Sequence, residues 1–239
     1  MLSAIGTVLL DFVYPRTCQG CGRPVLGRPG HVCWDCMAAL EWIASPICRL
    51  CGDPVYGSVQ HEYRCSACVK RRPGFDQARS AARYRGPLQG MMQAFKYGDG
   101  ICLTRDFAEM MHACVRAHWP RTRFDAVASV PLHPRKQRER TYNQSGLIAR
   151  VLARRMETLD MSRVLRRVKP TISQTGLSAT QRQANVRNAF DACHADWIEG
   201  RAFLLVDDVM TTGATVNACA GVLKKAGARE VHVVTVARG

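Results

Sequence analysis

Residues 202–227, AFLLVDDVMTTGATVNACAGVLKKAG, carry the clearest structural pattern in the chain. The first five are apolar, as in a strand of a parallel sheet that is buried on both faces. Two adjacent carboxylates, Asp207 and Asp208, end this predicted strand, and a small hydroxyl-rich turn, TTGAT, follows them. Residues 216–226 then predict a helix that Gly227 terminates, because glycine readily adopts the left-handed conformation. This order of elements indicates an α/β fold with a parallel sheet.

The end of this strand is the place where such a sheet binds ligands. In open α/β sheets, ligands lie in the crevice beyond the carboxyl ends of the strands. The start of the next helix offers N–H groups and the positive end of the helix dipole to an anion. Carboxylates accept hydrogen bonds from sugar hydroxyls, whereas threonine hydroxyls and a glycine backbone suit phosphate. No GxGxxG opens a helix and no GxxxxGK[ST] occurs, so the alternatives are another sugar-phosphate site or an ordinary acidic turn.

The chain is strongly basic, and much of the charge is concentrated in one region. Its 239 residues carry a formal net charge of +15, which indicates anionic partners such as polyphosphate, nucleic acid or a membrane surface. Residues 135–187 contain thirteen Lys or Arg against three acids. Because this region follows a second predicted strand, residues 125–130, its first loop is expected at the same sheet edge as Asp207. Its arginines suit phosphate, and a solvated helix start is the alternative.

Eight of the twelve cysteines form four C-x-x-C pairs near the start of the chain. Close pairs in a chain of this size fit metal better than disulfides. Four thiolates around one ion give the closed arrangement of structural zinc, which leaves no coordination position for catalysis. Ligands exchanged between the two sets, or a single ion, are alternatives. The predicted sets are Cys18, Cys21, Cys33 and Cys36, and Cys48, Cys51, Cys65 and Cys68.

Two domains are expected. Residues 1–74 would form a short N-terminal helix and a double zinc ribbon, and residues 75–239 would form the α/β domain. The ribbon could be a structural staple or a contact for nucleic acid or protein, since several arginines lie near its cysteines. These arginines are Arg16, Arg23, Arg28, Arg49 and Arg64.

The N-terminus lacks the basic start of a signal peptide, and no apolar stretch reaches transmembrane length, so we expect a cytoplasmic protein.

Two further regions are candidates for a role at the site. Lys96 ends a predicted helix, residues 87–96, and begins a predicted loop, residues 96–100, from which a lysine would either reach a phosphate or stay solvated. Residues 166–190 are polar and basic, which is typical of an ordinary surface excursion. A flexible lid, which would protect a reactive sugar cation from water, is the alternative that the resemblance of the motifs to a known family implies.

The stretch LLVDDVMTTGAT resembles the phosphoribosyl-pyrophosphate (PRPP) loop of type I phosphoribosyltransferases. The resemblance implies a Rossmann-like parallel sheet flanked by helices and a site for PRPP with Mg²⁺. It implies that Asp207 and Asp208 hold the ribose hydroxyls and act in catalysis. The turn around the 5′-phosphate would consist of Thr211, Thr212, Gly213, Ala214 and Thr215. The loop that holds the pyrophosphate would include Leu132, His133, Arg135, Lys136, Arg138 and Arg140.

The combination of motifs is similar to the ComF family of competence-associated, phosphoribosyltransferase-like proteins. The resemblance rests on the four C-x-x-C pairs, VPLHPRKQRERTYNQ, the run from Gln174 to Phe190, and LLVDDVMTTGAT. It implies a part in the uptake of transforming DNA, with competence proteins as partners, and it does not establish a reaction. One departure is Thr141, which stands where the family usually has glycine.

Two functions remain as hypotheses. The first is a Mg²⁺-dependent phosphoribosyl transfer in which positioning and electrostatics supply the catalysis. No general base for an acceptor stands out. The second is a binding module that keeps the PRPP fold and holds single-stranded DNA on its basic face. Aromatic side chains are scarce near the arginine cluster, which weakens this second hypothesis because single strands are bound partly by stacking.

Overall fold

A computed structural model describes most of the chain. The predicted N-terminal helix and much of the predicted lid lie outside the described residues. The described residues are 16–26, 28–55, 57, 59, 62–98, 100–134, 137–138, 141–169, 181, 186 and 188–239. No helix within these ranges is long and apolar enough to cross a membrane.

A parallel sheet forms the centre of the described structure, as the sequence predicts. The strands in chain order are β1 (Gln77–Arg83), β2 (Ala126–Ser129), β3 (Leu159–Asp160), β4 (Leu165–Arg167), β5 (Phe190–Ala192), β6 (Ala202–Met210) and β7 (Glu230–Arg238). The order across the main sheet is β1-β7-β6-β2-β3, and every neighbouring pair is parallel. Strands β4 and β5 form a separate antiparallel pair. The expected α/β fold is confirmed.

Helices cover both faces of this sheet. They are α1 (Trp34–Ala38), α2 (Ser66–Lys70), α3 (Pro87–Tyr97), α4 (Thr104–His118), α5 (Gln144–Arg155) and α6 (Ala214–Lys225). Alternate residues of β6 point to opposite sides: Leu204 packs into the core with α3, α4 and α5, whereas Leu205 packs into the core with α6. Because both faces of the strand are buried, it reads as a continuous apolar run.

Strand β6 is longer than the sequence predicts. It continues through the acidic pair to Met210, where its pairing with β7 joins Met210 to Arg238. Asp207 and Asp208 are therefore held by the sheet rather than by a loop. Gly213 immediately precedes α6. Its φ of +75° lies in the left-handed region, which favours glycine.

The cysteine-rich front of the chain covers β1, which is an edge strand of the sheet. Ala78 N–H donates to the Leu50 carbonyl at 2.7 Å, and Arg83 N–H donates to the Glu41 carbonyl at 2.8 Å. A Cβ on Gly52 would lie 2.5 Å from the Ala78 carbonyl oxygen, so the turn after Cys48 and Cys51 approaches the strand closely. The front segment thus satisfies backbone groups that an open edge would expose.

A buried ion pair joins the segment that carries the first cysteine set, Cys18 to Cys36, to α4. Arg28 Nη2 lies 3.4 Å from Asp106 Oδ1, and the two side chains are 10% and 3% exposed. His31 N–H donates to Asp106 Oδ2 at 3.0 Å. Burial raises the pKa of Asp106, although these two partners favour its charged form. The contact fixes the ribbon against the helix at an electrostatic cost.

We expect Asp106→Leu to lower the free energy of unfolding by about 3 kcal/mol, because it leaves the Arg28 guanidinium buried without its partner. Urea denaturation measures this loss. The double variant Arg28→Met with Asp106→Leu should recover most of it. Asp191→Ala is the control, since its pair with Arg166 is exposed and should contribute little to stability. Equal losses for Asp106→Leu and Asp191→Ala would contradict the expectation.

Candidate functional site

The two acidic residues at the end of β6 have different partners. Asp207 Oδ1 accepts hydrogen bonds from Ser145 Oγ and from the Asp208 N–H, both at 3.0 Å. Asp208 Oδ2 lies 3.0 Å from Lys96 Nζ, and its Oδ1 accepts from the Val209 N–H at 2.6 Å. The pair is therefore anchored from two helices, one on each carboxylate.

The positions of these partners follow from contacts between α3 and the start of α5. The sequence led us to expect Lys96 in a loop. The structure places it in the last turn of α3. Tyr142 Oη donates to the Phe95 carbonyl at 2.8 Å, and Gln144 Nε2 donates to the Lys96 carbonyl at 3.5 Å. Asn143 Nδ2 donates to the Val130 carbonyl at 3.1 Å. Three elements thus meet at the carboxyl edge of the sheet.

The charged groups of this cluster shift one another's pKa values. Burial and the neighbouring carboxylate of Asp208 raise the pKa of Asp207 to about 7, despite the hydrogen bond from Ser145. Burial disfavours the charged form of Lys96, but the carboxylates of Asp208 and Asp207 outweigh it and raise the pKa of Lys96. The site therefore contains the ion pair of Lys96 with Asp208 and a second carboxyl group, Asp207, whose pKa is raised to about 7.

The hydroxyl-rich turn lines a pocket beside the acidic pair. Thr212 Oγ1 accepts from the Ala214 N–H at 3.4 Å, at the start of α6. A Cβ on Gly213 would lie 2.7 Å from Met210 Cε, the mobile end of a side chain, so glycine is favoured here by its positive φ rather than by lack of space. The pocket is lined by Asp207, Val209, Met210, Thr211, Gly213, Ala214, Thr215 and Val216. The structure thus brings one acid and most of the predicted phosphate turn together.

The predicted pyrophosphate loop is described only in part. Leu132 and His133 are partly buried directly after β2, and Arg138 is exposed. The other predicted residues of this loop, Arg135, Lys136 and Arg140, lie outside the described residues. The phosphate role of the loop therefore stays a prediction.

Thr141 closes this loop in a conformation that is unusual for its type. Its φ is +63°, in the left-handed region, where β-branched residues are rare. Glycine, which the resembled family usually has here, adopts this conformation without strain. Threonine at this position therefore holds a left-handed backbone conformation at an energetic cost.

The two ends of the predicted lid form a short antiparallel stem. Leu165 pairs with Ala192, and Arg167 pairs with Phe190. The Arg167 guanidinium carbon lies 5.3 Å from the centre of the Phe190 ring. Burial lowers the pKa of Arg167, although the nearby charge of Asp207 opposes this. The stem therefore rises close to the acidic pair, and whether the segment between its strands closes over the site stays a prediction.

Sequence reasoning missed Ser145 and left the role of Lys96 open. Ser145 follows Asn143 and Gln144 in the first turn of α5, at the sheet edge already predicted for the site. That position was the available signal, but a serine there usually serves the helix itself. The side chain becomes part of the site only because α5 packs beside β6.

Two clusters of four cysteines occupy the front of the chain. Within each cluster the four Sγ atoms all lie within 4.8 Å of one another. Cys21 Sγ and Cys33 Sγ are 3.7 Å apart, and Cys51 Sγ and Cys65 Sγ are 3.6 Å apart. A tetrahedral ion with Zn–S bonds of about 2.3 Å requires sulfur separations of about 3.8 Å. The clusters therefore fit structural zinc, with the ligand sets that the spacing predicts.

The two clusters differ in their surroundings. In the first, Cys21 is exposed, and the backbone N–H of Arg23 together with its side chain lowers the pKa of Cys21 to about 6. All four cysteines of the second cluster are buried. Arg238 Nη2 lies 3.9 Å from Cys51 Sγ and 3.1 Å from Asp53 Oδ1, at the end of β7. The second site is thus shielded and supported by the α/β domain.

Most of the arginines near the cysteine clusters form hydrogen bonds or ion pairs within the protein. Arg16 donates to the carbonyls of Gly30 and Arg28, and Arg28 pairs with Asp106. Arg23 pairs with Asp35 at 2.8 Å, and Arg49 pairs with Glu62. Arg64 is exposed. The structural role suggested for the ribbon therefore has more support than a nucleic-acid contact through these side chains.

Comparison with known proteins accounts for both parts of the chain. A model described as double zinc ribbon domain matches residues 9–69, and one described as phosphoribosyl transferase domain matches residues 144–239. The two models agree with the zinc clusters and with the pocket at the end of β6.

Relatives share the arrangement over most of their length. Competence protein F of Haemophilus influenzae is 32% identical over 212 residues, which cover 87% of this chain and 90% of that protein. DNA utilization protein YhgH of Escherichia coli K12 is 31% identical over 229 residues, covering 94% of this chain and 97% of that protein. Competence protein ComFC of Bacillus subtilis is 25% identical over 214 residues, covering 87% and 84%.

We expect chelators to remove the two zinc ions at different rates and to unfold the front of the chain before the rest. The first ion should leave faster, because Cys21 is exposed whereas the second cluster is buried. A colorimetric zinc-release assay with EDTA, followed in parallel by circular dichroism, measures this. Cys21→Ser should affect the fast phase, and Cys51→Ser the slow one. Release in one phase, with simultaneous loss of all structure, would contradict the expectation.

We expect Asp207→Asn to stabilise the protein above neutral pH. The pKa of Asp207 is about 7 in the folded state and about 4 in an unfolded chain, so the free energy of unfolding falls as pH rises between these values. Asparagine removes this penalty and can still accept the Ser145 hydrogen bond. Thermal unfolding should show a Tm higher by about 4 °C at about pH 8 and little change at about pH 5.

Asp160→Asn provides the control for this measurement, because Asp160 is a partly exposed carboxylate paired with Arg150 at 3.6 Å. It should shift the Tm by less than about 1 °C at either pH. A loss of stability in Asp207→Asn at both pH values would show that the charged form is favoured in the fold.

Proposed function

The chain belongs to the competence protein F (ComF) family, and from that membership we propose that it binds PRPP with Mg²⁺ and serves DNA uptake in natural transformation. The observation that carries the proposal is the meeting of Asp207 with the Thr211–Thr215 turn in one pocket at the carboxyl edge of the sheet. The names of the relatives, which refer to competence and DNA utilization, support the biological role. A cytoplasmic location is part of the same proposal.

The turn suits the 5′-phosphate of PRPP. The N-terminus of α6 follows Gly213 and supplies backbone N–H groups and the positive end of a helix dipole. The hydroxyls of Thr211, Thr212 and Thr215 are additional donors. The phosphate would therefore be held mainly by neutral donors, while the basic loop after β2 remains for the pyrophosphate.

The acidic pair suits the ribose. Asp207 and Asp208 lie on β6 beside the turn, and their carboxylates accept hydrogen bonds from the 2′ and 3′ hydroxyls. Their negative charge favours the positive charge that develops on the sugar in a transfer reaction. They are also oxygen donors of the kind that surrounds Mg²⁺ together with phosphate oxygens and water. When bound, Mg²⁺ supplies neutralisation of the leaving pyrophosphate.

Phosphoribosyl transfer is the reaction that this arrangement supports best. The turn and the acidic pair fix the sugar between its two ends, so orientation and electrostatics supply the rate enhancement. The stem of β4 and β5 stands near Asp207, where a closing segment would exclude water. The nature of the acceptor does not follow from these residues.

A second candidate is a binding module for single-stranded DNA without turnover. The net charge of +15 favours it. Two exposed aromatic side chains, Trp34 and Trp197, add surfaces on which bases can stack; the Arg28 guanidinium lies 5.0 Å over the Trp34 ring, and Trp197 stacks on His194. These surfaces lie outside the acidic pocket, so the two functions are separable.

We expect Asp207→Asn to lose at least about 10-fold in PRPP affinity in the presence of Mg²⁺, because a neutral amide accepts the ribose hydroxyl bonds less strongly. Its affinity for an oligothymidylate should not change. Isothermal titration calorimetry measures the first affinity, and fluorescence anisotropy at two salt concentrations measures the second. Asp160→Asn is the control and should match the wild type in both assays.

Two other outcomes have clear meanings. If the wild type binds the oligonucleotide but not PRPP, phosphoribosyl transfer is excluded and the binding module remains. If Asp207→Asn loses both ligands equally, DNA occupies the acidic pocket and the two functions share one site.

A further inference from the structure

Lys96 links the acidic pair at the end of β6 to the start of α5. Its Nζ bonds to Asp208 Oδ2 at 3.0 Å, and the two side chains are 20% and 15% exposed. Its backbone carbonyl accepts a hydrogen bond from Gln144, just after the loop that is predicted to hold the pyrophosphate. Lys96 therefore contacts Asp208 with its side chain and the first residue of α5 with its backbone.

The position is held by the fold rather than by the ion pair alone. Phe95, the preceding residue, is fully buried against Phe107, with ring centres 5.1 Å apart. Its carbonyl accepts the Tyr142 hydroxyl at 2.8 Å. The last turn of α3 is thus fixed from two sides, so that the lysine side chain moves on a rigid base.

An ammonium group suits an exchange of partners at this place. It has three N–H donors on a flexible stem and acts as a point charge without the fixed fork of an arginine. Asp208 must accept hydrogen bonds from ribose hydroxyls when the sugar binds, while Lys96 Nζ now bonds to one of its oxygens. A diphosphate that arrives beside the ribose offers the ammonium a stronger anionic partner.

We propose that Lys96 makes the pocket selective for the 1-diphosphate of PRPP. In the ligand-free protein the ammonium neutralises Asp208, and in the complex it turns to the diphosphate and leaves Asp208 to the ribose. Ribose 5-phosphate lacks the diphosphate, so its binding does not gain from the lysine. This inference rests on the proposed function, because it concerns the same pocket.

The test compares two ligands in three variants. Affinities for PRPP and for ribose 5-phosphate, each with Mg²⁺, are measured by calorimetry in the wild type, Lys96→Gln and Lys96→Arg. We expect Lys96→Gln to weaken PRPP binding by about 10- to 100-fold and to change ribose 5-phosphate binding by less than about threefold. Lys96→Arg keeps the charge and should recover part of the PRPP affinity.

Lys224→Gln is the matched control. Lys224 Nζ pairs with Asp76 at 2.8 Å, and these side chains are 28% and 36% exposed, so the substitution breaks a similar ion pair outside the pocket. It should leave both affinities unchanged. If Lys96→Gln does not fold, as judged by thermal unfolding, Lys96→Met keeps the apolar stem and replaces it in the comparison.

Three results would overturn the inference. An equal loss of both ligands in Lys96→Gln would assign Lys96 a merely structural role, and unchanged PRPP affinity would assign it none. In both cases the wild type still binds PRPP, so the proposed function stands. A wild type that binds neither ligand would overturn the proposed function together with the inference.

Discussion

The parallel pairing of β6 with β7 and β2 is the constraint on which the candidate site depends. Because these strands run in one direction, their carboxyl ends meet at one edge of the sheet. The pairing continues to Met210, so the acidic pair belongs to a rigid strand and the Thr211–Thr215 turn begins where the strand stops. The chain then enters α6 at once, which places a helix N-terminus beside two carboxylates.

The same edge concentrates charge that the fold must compensate. Asp207 and Asp208 are adjacent and partly buried, and Lys96 and Ser145 reach them from two helices, α3 and α5. The raised pKa of Asp207 shows that this compensation is incomplete. Sites that bind charged ligands commonly keep such unfavourable interactions, which are relieved when the ligand binds.

The zinc ribbon has a structural task that extends beyond its own residues. It supplies hydrogen-bond partners to β1, which would otherwise be an exposed edge strand. Arg238 connects the second cysteine cluster to the end of β7, whose neighbour in the sheet is the end of β6. The ribbon and the α/β domain therefore share an interface rich in backbone and charged contacts, and the boundary expected near residue 74 remains a prediction about folding units.

Local patterns in the sequence were enough to identify the parallel sheet, the turn between β6 and α6, and both cysteine sets. Each depends on residues close together in the chain, whose spacing reflects a strand, a helix start or a tetrahedral ion. The partners of the acids could not be predicted in this way, since Ser145 lies 62 positions before Asp207 and meets it only through the packing of α5. Lys96 was noticed, but its pairing with Asp208 depends on how α3 docks. Side-chain partnerships across elements follow from packing, and no local periodicity records them.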